Sequence, residues 1–387
     1  MSEFDLIQRY FTRATPGVEL GVGDDASLLR VAPGMELAVS TDMLVSGTHF
    51  FPDADPFLLG YKTLAVNLSD MAAMGAAPRW ALLSLSMPEA DKAWLQKFSE
   101  GFFALADQYG VELIGGDTTR GLLNLCVTIM GEVPQGAALR RSGAQVGDEI
   151  WVSGNLGDAA LALAHLQNKV QLSAADFVAC ARALHQPQAR VSLGLALRGV
   201  ANSAIDISDG LLADLGHILE CSKVGAEIRF DALPISPLLR SLSPFHSTAR
   251  WTAEGSLQSS GAAPRPHEVR VSDETTSHLT KPLKRQVIGY GGVPFTGAPT
   301  GASLAGVRAG GERVGNLALL CILSGGDDYE LCFTAPVEQR GKIEQLAGKL
   351  NLPLTRIGVI VAGSGCVVRA VDGSVIQTGK TGYDHFA

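Results

Sequence analysis

Aspartates beside glycine or serine recur along this 387-residue chain: Asp24 and Asp25 in GVGDDA, Asp42 in VSTDM, Asp70 in NLSDMAAMG, Asp117 in LIGGDTTRG, Asp206 and Asp209 in IDISDGL, and Asp327 and Asp328 in SGGDDYEL. Most follow a short apolar run, where a strand gives way to a turn or helix. One such residue is ordinarily a solvated turn or an N-cap, and Asp209 ahead of an apolar helix reads equally as cap or functional group. A whole series asks for another account. Adjacent carboxylates repel, and a buried unpaired carboxylate is costly. Hard divalent cations with oxygen ligands offset such a surplus, and magnesium held by carboxylates and substrate phosphates is a common form. A calcium or purely structural acidic site is the rival, but no D-x-[DN]-x-[DN]-G loop closing on Glu occurs.

Asp70 carries the sharpest single argument. It lies in FLLGYKTLAVNLSDMAAMGA, a helical stretch apolar nearly all round and broken by Lys62, Asn67, Ser69 and Asp70, so it predicts a buried carboxylate. The basic residues near these motifs, Lys62, Arg120, Arg140 and Arg141, are too few to pair every aspartate. Gly21, Gly23, Gly115, Gly116, Gly325 and Gly326 would let the backbone approach a phosphate. No P-loop, Rossmann fingerprint or protein-kinase H-R-D set is present, so ATP, if bound, needs a different scaffold. His49, seven residues beyond Asp42, reads either as a packed residue or as a substrate contact.

The elements that must hold these residues alternate in period. MELAVST predicts a strand ending near Asp42, and Asp55–Pro56 an N-cap and first position for the buried helix. An amphipathic helix follows Pro88 and ends at Gly110; strands VELIGGD and LNLCVTIMGEV complete a mixed α+β domain over residues 1–146. The second domain, 147–387, opens on strand EIWVSG. It continues with helices after Gly157 and Ser173, the strand-to-helix passage ANSAIDISDGLLADLGHIL and strand AEIRFDALPI. Beyond SGGDDYELCFTA come a helix over 337–350, a strand near Ile357 and a hairpin at Asp372–Gly373.

Residues 244–316 break this pattern. They turn to Gly, Ser, Thr, Pro and Arg without periodicity and hold eight basic residues against five acidic ones, the reverse of the chain's formal charge of −8. The expectation is a largely disordered insertion rather than a functional lid. With 46% hydrophobic and 18% charged residues the composition is that of a globular protein, and its acidity argues against a nucleic-acid or membrane-surface binder. Six cysteines without paired spacing read as core residues in a reducing compartment, and the N-terminus lacks a basic region plus apolar run; the expectation is a cytoplasmic protein.

Taken in order, GVGDDASLL, STDMLVSGTHF, YKTLAVNLSDMAAMGAAP, LIGGDTTRG, RRSGAQVGD, NSAIDISDGLLADLGHI, SGGDDYELCFT and the terminal GYDHF resemble the thiamine-monophosphate kinase family. The resemblance covers residues 1 to about 243 and about 318 to 387. It implies the two-domain α+β fold shared with aminoimidazole ribonucleotide synthetase, selenophosphate synthetase and the hydrogenase-maturation dehydratase, a homodimer, and use of ATP and magnesium. By motif it implies metal ligands at Asp25, Ser40, Thr41, Asp42, Asp70, Asp117, Asp206 and Asp209, with Asp24 beside them. It further implies ATP contacts at Tyr109, Gly116, Asp117, Arg141 and Ser208, and substrate contacts at His49, Asp327 and Tyr383, with Arg141 and Asp209 serving the reaction. Two departures stand out: Asp327 replaces the family's usual Glu, and residues 244–316 have no counterpart.

The implied reaction suits these residues. A phosphate monoester is already anionic near neutral pH, so the acceptor needs no general base; its difficulty is repulsion between two polyanions. Catalysis by positioning and electrostatics, with in-line transfer of the γ-phosphoryl group of ATP to thiamine monophosphate, is the expectation. The alternatives are a sister kinase or synthetase with another acceptor and a non-catalytic ATP- or thiamine-phosphate-binding protein.

Overall fold

The computed structural model describes residues 3–243, 311–377 and 382–383, and its content is mixed α+β. Helix α1 (Glu3–Tyr10) precedes strand β1 (Met35–Val45), the buried helix α2 (Pro56–Ala73), β2 (Ala77–Met87), α3 (Lys92–Tyr109), β3 (Glu112–Arg120) and β4 (Asn124–Pro134). The four strands form one sheet in the order β1-β4-β2-β3, with β2 and β3 parallel and the other pairs antiparallel. Asp55 caps α2, its carboxylate accepting from the backbone N–H groups of Phe57 and Leu58, and Asp91 caps α3 in the same way.

A second, six-stranded sheet runs β10-β7-β9-β5-β8-β6. Its strands are β5 (Glu149–Ser153), β6 (Ser203–Asp206), β7 (Gly225–Arg229), β8 (Leu331–Ala335), β9 (Leu354–Val361) and β10 (Gly365–Arg369). Helices α4 (Asp158–Leu166), α5 (Ala174–His185), α6 (Val191–Leu197), α7 (Leu211–Ser222), α8 (Pro237–Leu242), α9 (Gly311–Ser324) and α10 (Arg340–Leu350) are the other α-helices of the described residues. The six cysteines are free thiols.

Most elements lie where the periodicities put them, with four differences. Residues 77–87 form a central strand, although alternation is blurred there by apolar side chains on both faces and by bulges. Residues 191–197 make a short helix. The strand expected over AEIRFDALPI stops at Arg229 and passes into a 3-10 turn at Phe230–Ala232. The insertion expected over 244–316 lies outside the described residues up to 310, but 311–316 belong to α9, whose later apolar residues Ala318, Cys321, Ile322 and Leu323 are buried.

Helix α2 is the member common to both halves. Leu64, Leu68 and Met71 pack with Phe98 and Phe102 of α3 and with Leu125, Val127 and Ile129 of the first sheet. The same apolar cluster continues to Val191, Leu193, Leu331 and Phe333 of the second half. A separate core of Ile150, Val152, Ile205, Leu215, Ile218 and Ile228 lies within the second sheet and α7. No helix among the described residues is long and apolar enough to cross a membrane.

Candidate functional site

The polar residues that interrupt α2 reach both sheets. Asn67 Oδ1 accepts from the Asp42 backbone N–H at 3.2 Å, and Ser40 Oγ donates to Asp70 Oδ2 at 2.6 Å, both fixing β1. Ser69 Oγ donates to Asp206 Oδ2 at 2.8 Å, fixing the end of β6. Asp42, Asp70 and Asp206 are thereby drawn to one end of α2, and Asp209 joins them from the turn after β6, close enough to raise the pKa of Asp42.

These carboxylates outnumber the positive charge near them. Burial, then Asp70 and Asp209, push Asp42 up to about 6; burial, then Asp70, push Asp206 up to about 8 despite the Ser69 hydrogen bond. Asp70 is also raised by burial, opposed by Ser40 and by the charge of Arg141. Asp214 extends the group: its Oδ2 accepts from the N–H groups of Asp209 and Gly210 at 3.0 Å each, and burial with the Asp209 charge pushes it up to about 7. Every donor atom is a hard oxygen, which suits magnesium rather than a soft metal. Among the described residues no three His, Cys, Asp or Glu side chains converge tightly enough to hold a metal by themselves. A cation here would complete its shell from water and substrate phosphate, as magnesium commonly does.

Thr41, Asp117 and the GVGDD loop lie on the other face of the first sheet. Side chains alternate along a strand, so Thr41 points away from Ser40 and Asp42; its hydroxyl donates to Val127 O at 3.1 Å and accepts from Thr128 Oγ1 at 3.2 Å. Asp117 pairs with Ser84, and its neighbour Gly116 with the inward-facing Leu83, which puts the Asp117 side chain outward as well. The GVGDD loop docks on this outer face, Ser27 Oγ donating to Ile114 O while Val18 and Leu29 pack on Trp80, Ile114 and Met130. Asp24 Oδ1 accepts from the Asp25 N–H, the local turn bond of an isolated GDD. The chain thus holds two acidic groups separated by the sheet, with Asp42 and Asp117 on strands three spacings apart, roughly 14 Å.

The other sequence-predicted residues are dispersed around the first group. Ser208 O accepts from the Asp327 N–H at 2.8 Å, and Asp209 O accepts from the Tyr383 N–H at 3.1 Å, so SGGDDYEL and the C-terminal tail both close on the turn after β6. The two aspartates of SGGDDYEL diverge. Asp327 pairs with Lys62 Nζ at 2.9 Å, whereas Asp328 is buried and accepts from the Gly157 N–H at 2.9 and 3.0 Å at the head of α4. Glu330 is an inward structural anchor for Arg190. His49 Nδ1 accepts from the Val45 N–H at 2.9 Å in the turn after β1. Tyr109 OH donates to Ala189 O at 2.9 Å, and Tyr61 and Arg190 lie within electrostatic reach, toward the start of α2 rather than its acidic end.

Two of the glycines expected to approach a phosphate are packed closely against other backbone. A Cβ on Gly116 would stand 1.9 Å from Leu83 O, and one on Gly326 2.4 Å from Ser208 O. The roles of Asn67, Ser69, Asp214 and the Lys62–Asp327 pair escape a linear reading. The polar interruption of an apolar helix hinted at Lys62, Asn67 and Ser69.

Comparison with known proteins decides the family. A thiamine-monophosphate kinase of Escherichia coli (strain K12) is 41% identical over 392 aligned positions, covering 100% of this chain and 98% of the relative. The chain belongs to the thiamine-monophosphate kinase family. A family model described as AIR synthase related protein, N-terminal domain, matches residues 23–133, the span from the GDD loop to the end of β4. The crystal structure of thiamine-monophosphate kinase from Stenotrophomonas maltophilia K279a shares the fold with a TM-score of 0.72 and 42% identity, covering 97% of this chain and 98% of its own. The structure of AaThiL complexed with AMPPCP and TMP superposes with a TM-score of 0.64 at 25% identity, covering 99% of this chain and 96% of that one. Membership in the thiamine-monophosphate kinase family places the acidic end of α2 in a fold whose relative binds an ATP analogue and TMP.

Proposed function

We propose that this chain transfers the γ-phosphoryl group of ATP to thiamine monophosphate, giving ADP and thiamine diphosphate. The observation that carries the reading is the gathering of Asp42, Asp70, Asp206 and Asp209, short of positive charge, on the scaffold of a kinase family. Magnesium bound there would neutralise polyphosphate charge and stabilise a loose phosphoryl-transfer transition state. Asp42, Asp70, Asp206 and Asp209 would hold that charge, with Ser40 positioning Asp70 and Ser69 positioning Asp206. Arg141, in electrostatic reach of Asp70, would compensate phosphate charge, and Ser208 would contact ATP from the turn after β6. His49, Asp327 and Tyr383 would contact the acceptor. No side chain need remove a proton, because the acceptor phosphate is already an anion.

Asp25, Thr41 and Asp117 belong to the same proposal with a geometric condition. Thr41 could offer its main-chain oxygen to the inner group, while Asp25 and Asp117 stand across the sheet, with Gly116 and Tyr109 also apart from the inner carboxylates. A homodimer supplies a route between the two faces. Strand β1 is a long edge strand exposing Leu37, Val39 and Met43, an apolar surface that a second copy of this chain would cover. We place the division between domains near 146/147, between the last strand of one sheet and the first of the other, and the protein in the cytoplasm.

A coupled assay of ADP release with ATP, magnesium and thiamine monophosphate tests the function. Turnover that depends on thiamine monophosphate is expected. Binding of both ligands without turnover would make the protein a non-catalytic binder, and indifference to thiamine monophosphate would point to another acceptor.

A further inference from the structure

Lys62 and Tyr329 converge on one oxygen of Asp327. The Lys62 side chain, 7% exposed, leaves the second turn of α2 and brings Nζ to 2.9 Å from Asp327 Oδ1. Tyr329 OH donates to the same oxygen at 3.2 Å. Oδ2 has no hydrogen bond among the described residues, and the Asp327 side chain is 27% exposed. The loop is fixed from behind: Asp327 N–H donates to Ser208 O and Tyr329 N–H to Ile207 O, both at 2.8 Å, with φ of +70° at Asp327 and +50° at Tyr329. Non-glycine residues adopt such angles at a cost that the surrounding structure must cover.

A buried ammonium is an expensive way to stabilise a fold, so its aim needs a reason. His185 lies within electrostatic reach of Lys62, Asp327 and Asp55, and Tyr329 within reach of Asp42 and Asp206. Burial and the Lys62 charge push His185 down to about 4, so His185 is neutral near neutral pH and does not compete for Asp327 as a cation.

We propose that Lys62, assisted by Tyr329, is a positioning residue for acceptor recognition: it saturates Oδ1 of Asp327 and turns Oδ2 toward a hydrogen-bond donor on the acceptor's heterocycle, an amino group in chemical class. This rests on the kinase reading above and on Asp327 as a substrate contact. The pair is net neutral, so it orients a carboxylate without adding repulsion toward the acceptor phosphate.

Steady-state kinetics of the full chain test this, with each substrate varied while the other saturates. Lys62→Met is expected to raise KM for thiamine monophosphate about tenfold or more while KM for ATP stays within about twofold, the loss of a charge-assisted hydrogen bond felt on one substrate. Tyr329→Phe, which keeps the ring, should shift the same constant by a smaller factor. The double variant Lys62→Met/Asp327→Asn should be no worse than Asp327→Asn alone, since Lys62 acts through that carboxylate. Multiplying effects, or equal rises for both substrates, would overturn the proposal. If Lys62→Met does not fold, Tyr329→Phe with Asp327→Asn completes the same cycle: non-multiplying effects support the proposal and multiplying ones overturn it. A wild-type chain inactive on thiamine monophosphate ends the kinase reading itself; an active one whose KM ignores Asp327→Asn ends the Lys62 proposal alone.

Discussion

Ser40 on an edge strand and Asp70 on a buried helix share a 2.6 Å hydrogen bond, and the carboxylate so held sits in a crowd of buried acids with Asp42 and Asp206. Asp70→Asn keeps an acceptor for Ser40 and removes one of the charges that crowd Asp206. Turnover should fall by about a hundredfold or more, as when charge stabilisation of a transition state is removed, while the melting temperature holds or rises. ADP release and a thermal melt check both. Full magnesium-dependent activity in this variant would remove Asp70 from the site.

The raised pKa values give a signed pH dependence. Asp42, Asp206 and Asp214 ionise in the unfolded chain near their ordinary value of 3.8 but in the folded protein only at about 6, 8 and 7. The folded state therefore binds more protons across this window, and stability without divalent ions should fall as pH rises from about 4 to 8. Added magnesium should raise the melting temperature more at pH 8 than at pH 5, because only the ionised cluster attracts it. Asp206→Asn should flatten the pH slope. Equal magnesium shifts at both pH values would argue against a cation at this cluster.

The exposed strand β1 predicts a change of mass. Val39, 57% exposed on an edge strand, tolerates Lys in a monomer, and an edge lysine opposes pairing between copies. Val39→Lys should halve the sedimenting mass if β1 is the dimer contact. A dimer that survives this change would use another surface.

Gly116→Ala tests the sheet itself. The added methyl would stand 1.9 Å from Leu83 O at a backbone φ of +147°, so β2 and β3 must separate. The expected loss is about 3 kcal/mol in denaturant unfolding, typical of overpacking combined with backbone strain. A neutral result would mean that the β3 edge yields freely.

Local signals found most of the framework. Asp55–Pro56 marks the start of α2 because capping is decided within four residues, and IDISDGL shows its strand-to-helix passage because the period changes there. Alternation along Ser40, Thr41 and Asp42 is equally local, and it puts the Thr41 side chain on the opposite face from its two neighbours. The fate of Asp327 and Asp328 was beyond a linear reading. One meets Lys62 and the other the head of α4, partners 265 and 171 positions away that only the tertiary fold brings near. Helix α9 was hidden because its first turns, GERVG, look like the glycine- and arginine-rich stretch before them.

Helix α2 is wedged against backbone on two sides. A Cβ on Gly60 would meet Phe98 O at 2.0 Å, and one on Gly194 would meet Ala72 O at 2.0 Å. No slack remains for the rod that carries Asn67, Ser69 and Asp70, so a methyl group added near either end becomes a displacement at the carboxylates. Misplacing reacting groups by about 1 Å can cost a hundredfold in rate. Tolerance to mutation should therefore be graded by mechanical coupling to this rod rather than by distance from the phosphates.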